Sequence, residues 1–138
     1  MHRRTIIIYL LIVIHMDKII ITRGDRDKKW KATLPNGRSV QFGAKGYSDY
    51  TIHKDPLRMK RYVVRHGGAT TPSNSPKDVQ RIMLTKVRSN KENWSMGGIN
   101  TAGFWSRWLL WSFPDIRNAV KYTQDKVLRG KYKIVFKP

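Results

Sequence analysis

Asp49, Tyr50, His53 and Asp55 form the densest group of side chains capable of proton or metal chemistry in the 138-residue chain. One imidazole and two carboxylates suffice in principle for a metal ion or for general-base hydrolysis. A plainer reading accounts for both acids. Asp55 precedes Pro56 and an apolar helical pattern, so it reads as an N-cap. Asp49 can close a turn by bonding its own backbone. The chain has no cysteine, which excludes disulfides, thiol nucleophiles and cysteine-based metal sites. It also has no Walker loop, no G-x-S-x-G and no H-E-x-x-H. The residues predict no catalytic centre, metal or cofactor, and the chain reads as a non-enzyme.

Cations point elsewhere. Lys54, Arg58, Arg61 and Arg65 fall within about one-sixth of a turn at helical spacing. Such a stripe can neutralise successive phosphates or meet an acidic protein face. Lys45 lies in the loop before it, and Arg107 is expected to point outward from a tryptophan-rich helix. These six are the expected partner- or phosphate-binding residues. The whole chain holds 28 Lys and Arg against nine Asp and Glu, a formal charge of +19. The excess is shared between the halves, +10 over residues 1–69 and +9 over 70–138. A basic tail on a neutral domain does not fit that distribution; a domain basic over its whole surface does. The aromatic-rich segment with Phe104, Trp105, Trp108, Leu109 and Trp111 invites a base-stacking reading, but Phe104, Trp105, Trp108 and Leu109 at helical spacing read more simply as core.

The elements that position these groups follow from pattern. Residues 18–23 and 29–34 read as strands, the second with Trp30, Ala32 and Leu34 on one face. Asn36-Gly37 predicts a type I′ hairpin turn, returning as a strand over 39–42. Residues 43–54 read as a loop. Helices are expected from Asp55 to Gly67, from Ser75-Pro76 with Val79, Ile82, Met83 and Val87 inward, and from Thr101 to about Trp111. A last helix, to Gly130, follows a capping-box-like Ser112–Asp115 pair. Residues 131–137 alternate as a final strand. The fold class is therefore α+β: an antiparallel N-terminal meander joined by a C-terminal strand, with three or four helices on one face.

Residues 1–15 stand apart. The apolar run from Ile6 to Ile14 is too short to span a bilayer as a helix, which needs about 20 residues. It suits a buried strand, a membrane contact or a dispensable extension before Met16. The remainder, 16–138, is expected to form one compact basic domain.

Two segments carry a resemblance. Phe42-Gly43-Ala44-Lys45-Gly46-Tyr47-Ser48-Asp49-Tyr50-Thr51-Ile52-His53-Lys54-Asp55, continuing to Arg61-Tyr62 and Arg65-His66, is similar to a family of small basic proteins of large nucleocytoplasmic DNA viruses of algae and amoebae. Glu92-Asn93-Trp94 with Thr101-Ala102-Gly103-Phe104-Trp105-Ser106-Arg107-Trp108-Leu109-Leu110-Trp111 resembles that family's second block. The likeness spans roughly residues 18–128. The chain departs from it in the extension before Met16 and in a longer stretch between His66 and Glu92. The resemblance carries over no catalytic residue. It implies a viral origin and a place in the virion, reached through the host cytoplasm during assembly. The role it implies is that of a minor capsid protein, bridging larger partners through a basic surface. Capsid proteins are the expected partners, together with the inner viral membrane through residues 6–14. DNA or RNA is the alternative partner, for a sequence-nonspecific binder of the viral genome.

Overall fold

The computed structural model describes residues 17–138. The strand, membrane and extension readings of residues 1–15 fall outside that range. β1 (Lys18–Arg23), β2 (Lys28–Thr33) and β3 (Ser39–Ala44) form the expected antiparallel meander. Alternation sets the faces: Ile19, Ile21, Trp30, Ala32 and Phe42 are buried, whereas Ile20, Thr22, Lys31 and Gln41 are only half-buried.

The β2–β3 hairpin is in the predicted place but turns differently. Gly37 N–H donates to the Leu34 carbonyl at 2.9 Å and Leu34 N–H to that of Arg38 at 2.8 Å, enclosing a three-residue loop. Gly37 has φ of 86°, and Asn36 is not among the positive-φ residues. Pro35 at the first central position favours a type I turn, and Gly37 takes the left-handed position of the bulge that follows.

Among the described residues, four helical segments of more than one turn, a one-turn α helix and a 3-10 turn at Met96–Gly98 follow β3. α1 (Tyr50–His53) is a single turn inside the segment read as loop. α2 (Pro56–Arg65) starts at Asp55, whose Oδ1 accepts from Leu57 N–H at 2.9 Å, and it buries Met59, Tyr62 and Val63. α3 (Pro76–Met83) buries Val79 and Met83 but ends before Val87, which is exposed. α4 (Ala102–Trp105) runs straight into a π turn over Ser106–Leu110. α5 (Ile116–Tyr122) runs into another over Thr123–Val127. Asp115 alone caps α5, accepting from Arg117 N–H at 2.8 Å. Ser112 is instead buried and donates to the Trp108 carbonyl, so the two do not form a capping box.

β4 (Lys133–Lys137) joins the sheet beside β1, giving the order β3-β2-β1-β4. It runs parallel to β1, so the sheet is mixed and not wholly antiparallel. The helical half of the chain lies between β1 and β4, ample for the long crossover that a parallel pair requires. α4 packs on β3 and α5 on β4.

The aromatic helix is core, as its spacing predicts. Phe104, Trp105, Trp108, Leu109 and Leu110 are all buried. Three buried indoles find acceptors: Trp105 the Ile99 carbonyl, Trp108 the Trp94 carbonyl and Trp94 the Glu92 carboxylate, at 2.7–2.9 Å. Among the described residues no helix is long and apolar enough to cross a membrane.

Candidate polyanion-binding face

The Lys45–Asp49 loop organises the basic face. Tyr47 N–H bonds to the Ala44 carbonyl, with Gly46 at φ of 86°, the sign a type II turn needs at its third residue. Lys45 N–H reaches back to the Asp27 carbonyl at 2.8 Å. Lys29 Nζ then pins the loop, donating to the Tyr47 carbonyl at 2.5 Å and to Asp49 Oδ2 at 2.7 Å. Asp49 is 2% exposed, and its other oxygen caps α1 by accepting from Thr51 N–H at 2.9 Å.

These bonds settle the role of the acid–histidine group. Asp49 is committed to Lys29 and to the α1 cap; Asp55 caps α2. His53 Nδ1 accepts from Asp55 N–H at 2.9 Å, which leaves the ring proton on Nε2, a buried atom without a partner among the described residues. Burial, and next the nearby Arg58 charge, hold the His53 pKa below its ordinary value. Tyr50 OH donates to Gln80 Oε1, and burial raises its pKa. Asp49 and Asp55 thus cap α1 and α2, and Tyr50 ties α1 to Gln80 of α3. Among the described residues no group of three or more histidine and acidic side chains is placed to hold a metal ion.

Five of the six expected binding residues are exposed: Lys45, Lys54, Arg58, Arg61 and Arg65. Among the described residues none of the five has a carboxylate within 4 Å. Lys54 departs from the stripe in one respect. It ends α1 in the left-handed region at φ of 57°, and so does not share the helical register of the three arginines. Its Nζ donates to the Pro114 carbonyl at 2.9 Å, tying the α1–α2 junction to the loop before α5.

Arg107 is a correction. It is 0% exposed and offers nothing to a partner. Its guanidinium donates to the Trp111 carbonyl at 2.7 Å and to the Met83 carbonyl at 2.6 Å, and lies 4.5 Å from the Trp108 ring centroid. The π turn is buried on every side, from Arg107 through Leu110, so no outward face exists for it. Desolvation lowers its pKa to about 10. The signal that sequence lacks is the tertiary meeting of two backbone carbonyls, of Met83 at the end of α3 and of Trp111 after the π turn, which a forked donor can bridge.

Two adjoining clefts flank the pinned loop. The larger, about 760 Å3, is rimmed by Arg23 and Lys45; the other, about 510 Å3, by Lys28, Arg58 and Arg65. Lys29, Tyr47, Ser48 and Asp49 form the wall between them. The fold thus joins the α2 arginines to cations of β1, β2 and the loop on one face. Nothing in the sequence singles out Arg23, which closes a strand; its guanidinium sits 4.3 Å from the centroid of the Trp30 ring. What the arrangement can do is bind negative charge. No curated protein and no solved structure matches the chain. A family of unknown function (DUF5754) matches residues 19–66, the segment that holds β1 to α2 and all five exposed cations predicted from sequence.

Proposed function

We propose that this protein catalyses no reaction and works as a structural protein of minor-capsid type in the particle of a large DNA virus. It bridges larger acidic partners, capsid proteins foremost, through its basic face. It joins the particle from the host cytoplasm, and residues 6–14 add a contact to the inner viral membrane. The observation that carries this reading is the unneutralised cation array. Among the described residues only three Lys or Arg side chains pair with a carboxylate. Acids that would serve catalysis are meanwhile consumed by caps and by the Lys29 pin. Self-repulsion on this scale costs stability, and a negative partner offsets it. The viral setting rests on the two sequence blocks, of which the first overlaps the matched segment.

The test is localisation. The protein should remain with purified particles at fixed stoichiometry after their DNA has been removed. Its absence from purified particles would end the reading. A second reading, sequence-nonspecific nucleic-acid binding, is favoured by the exposed Arg58–Arg61–Arg65 stripe. Under that reading, mixed-sequence duplex DNA is held with steep salt dependence, and reversing the three arginines to Glu abolishes retention.

A further inference from the structure

The larger cleft has a feature that charge alone does not explain. Four large apolar side chains are exposed in the described chain, and two of them, Tyr47 at 75% and Ile52 at 59%, line this one cleft. Tyr47 is the only aromatic among the four. Its presentation is built: the Gly46 turn, the Lys29 bond to its own carbonyl and the buried Lys29–Asp49 pair fix the backbone on either side. A backbone fixed on both sides of the exposed ring lowers the entropy lost when a flat partner covers it. Beside it stand two cations without a carboxylate within 4 Å: Lys45, and Arg23 steadied against Trp30. Ser48 and Thr51 add hydroxyls to the lining. The volume, about 760 Å3, lies within the roughly 300–1,000 Å3 typical of ligand sites.

We propose that this cleft binds a nucleotide unit, with the base stacked on Tyr47 against Ile52 and the phosphate between Arg23 and Lys45. A carboxylate-bearing peptide would use the cations but leave the Tyr47 ring without a planar partner; a nucleotide uses both. Duplex DNA offers phosphates but keeps its bases stacked inside, so the preferred form is single-stranded. The inference goes beyond the structural role and does not depend on it.

Fluorescence anisotropy of the full chain with labelled short oligo-dT tests it. Tyr47→Ala should weaken binding by about ten-fold, the scale of one lost stacking contact, with Tyr47→Phe close to the parent. Arg23→Glu with Lys45→Glu should weaken it further and flatten the salt dependence. Because Tyr47 is 75% exposed, the melting temperature of Tyr47→Ala should stay at the parent value. Arg58→Glu with Arg61→Glu should leave the Tyr47 effect intact, which separates this cleft from the α2 stripe. Competition by thymidine monophosphate would show that the unit alone is held; competition only by unlabelled oligo-dT would show that a strand is needed. Either supports the site. Equal binding by Tyr47→Ala and parent overturns it, as does displacement by poly-glutamate as effective as by oligo-dT, which would identify an acidic peptide as the occupant.

Discussion

Arg107 illustrates how one side chain can serve stability in the guise of a binding residue. Its fork meets carbonyls from α3 and from the end of the α4 π turn, and its flat face lies against Trp108. Arg107→Ala removes these bonds and leaves a cavity among buried tryptophans. A loss of about 2–5 kcal/mol is expected by denaturant unfolding. Arg107→Lys should recover only part of it, because one ammonium cannot reproduce a planar fork. Binding of polyanions by the folded fraction should not change. Preserved stability in Arg107→Ala would mean that the carbonyls find other donors.

At the scale of elements, glycine positions govern the shape of the basic face. Gly43, near the end of β3, has φ of 76°, and a Cβ there would meet Leu110 Cδ1 at 2.8 Å. Gly43→Ala therefore combines left-handed strain with a clash against the α4 π turn. A cost of about 2 kcal/mol or more is expected from thermal unfolding. An unchanged melting temperature would show that β3 can shift away from Leu110. Sequence made several of these elements legible for identifiable reasons. The meander follows from alternation around Trp30 and Ala32, and α2 from Asp55-Pro56 followed by Met59, Tyr62 and Val63. Asp55 reads correctly as a cap because capping is local. Where reading failed, the cause was tertiary. α1 is too short for any periodicity, and Asp49 caps it while answering a lysine from β2. Val87 falls outside its helix because α3 stops at Met83. The direction of β4 depends on which edge of the sheet is free, and no local pattern records that.

For the molecule as a whole, the dominant quantity is a formal charge of +19 on 138 residues. Most of that charge lies where water and salt can screen it, within a Debye length of about 10 Å at 0.1 M. The melting temperature should therefore rise with ionic strength, and more with sulfate than with chloride at equal ionic strength. A flat response would indicate that the cations are too far apart to repel one another measurably. The exposed predicted cations were legible in composition and spacing, but the placing of Lys45, Arg58 and Arg65 on two adjoining clefts was not. It needs β1, β2, the loop and α2 folded together.

The parallel seating of β4 on β1 also has a temporal side. While the chain is being synthesised, β1 can pair with β2 early, yet among the described residues its other edge has no neighbour until Lys133–Lys137 has left the ribosome. Until then the nascent sheet carries an open seam beside Ile19 and Ile21, a place where a chaperone or a second nascent chain can bind first.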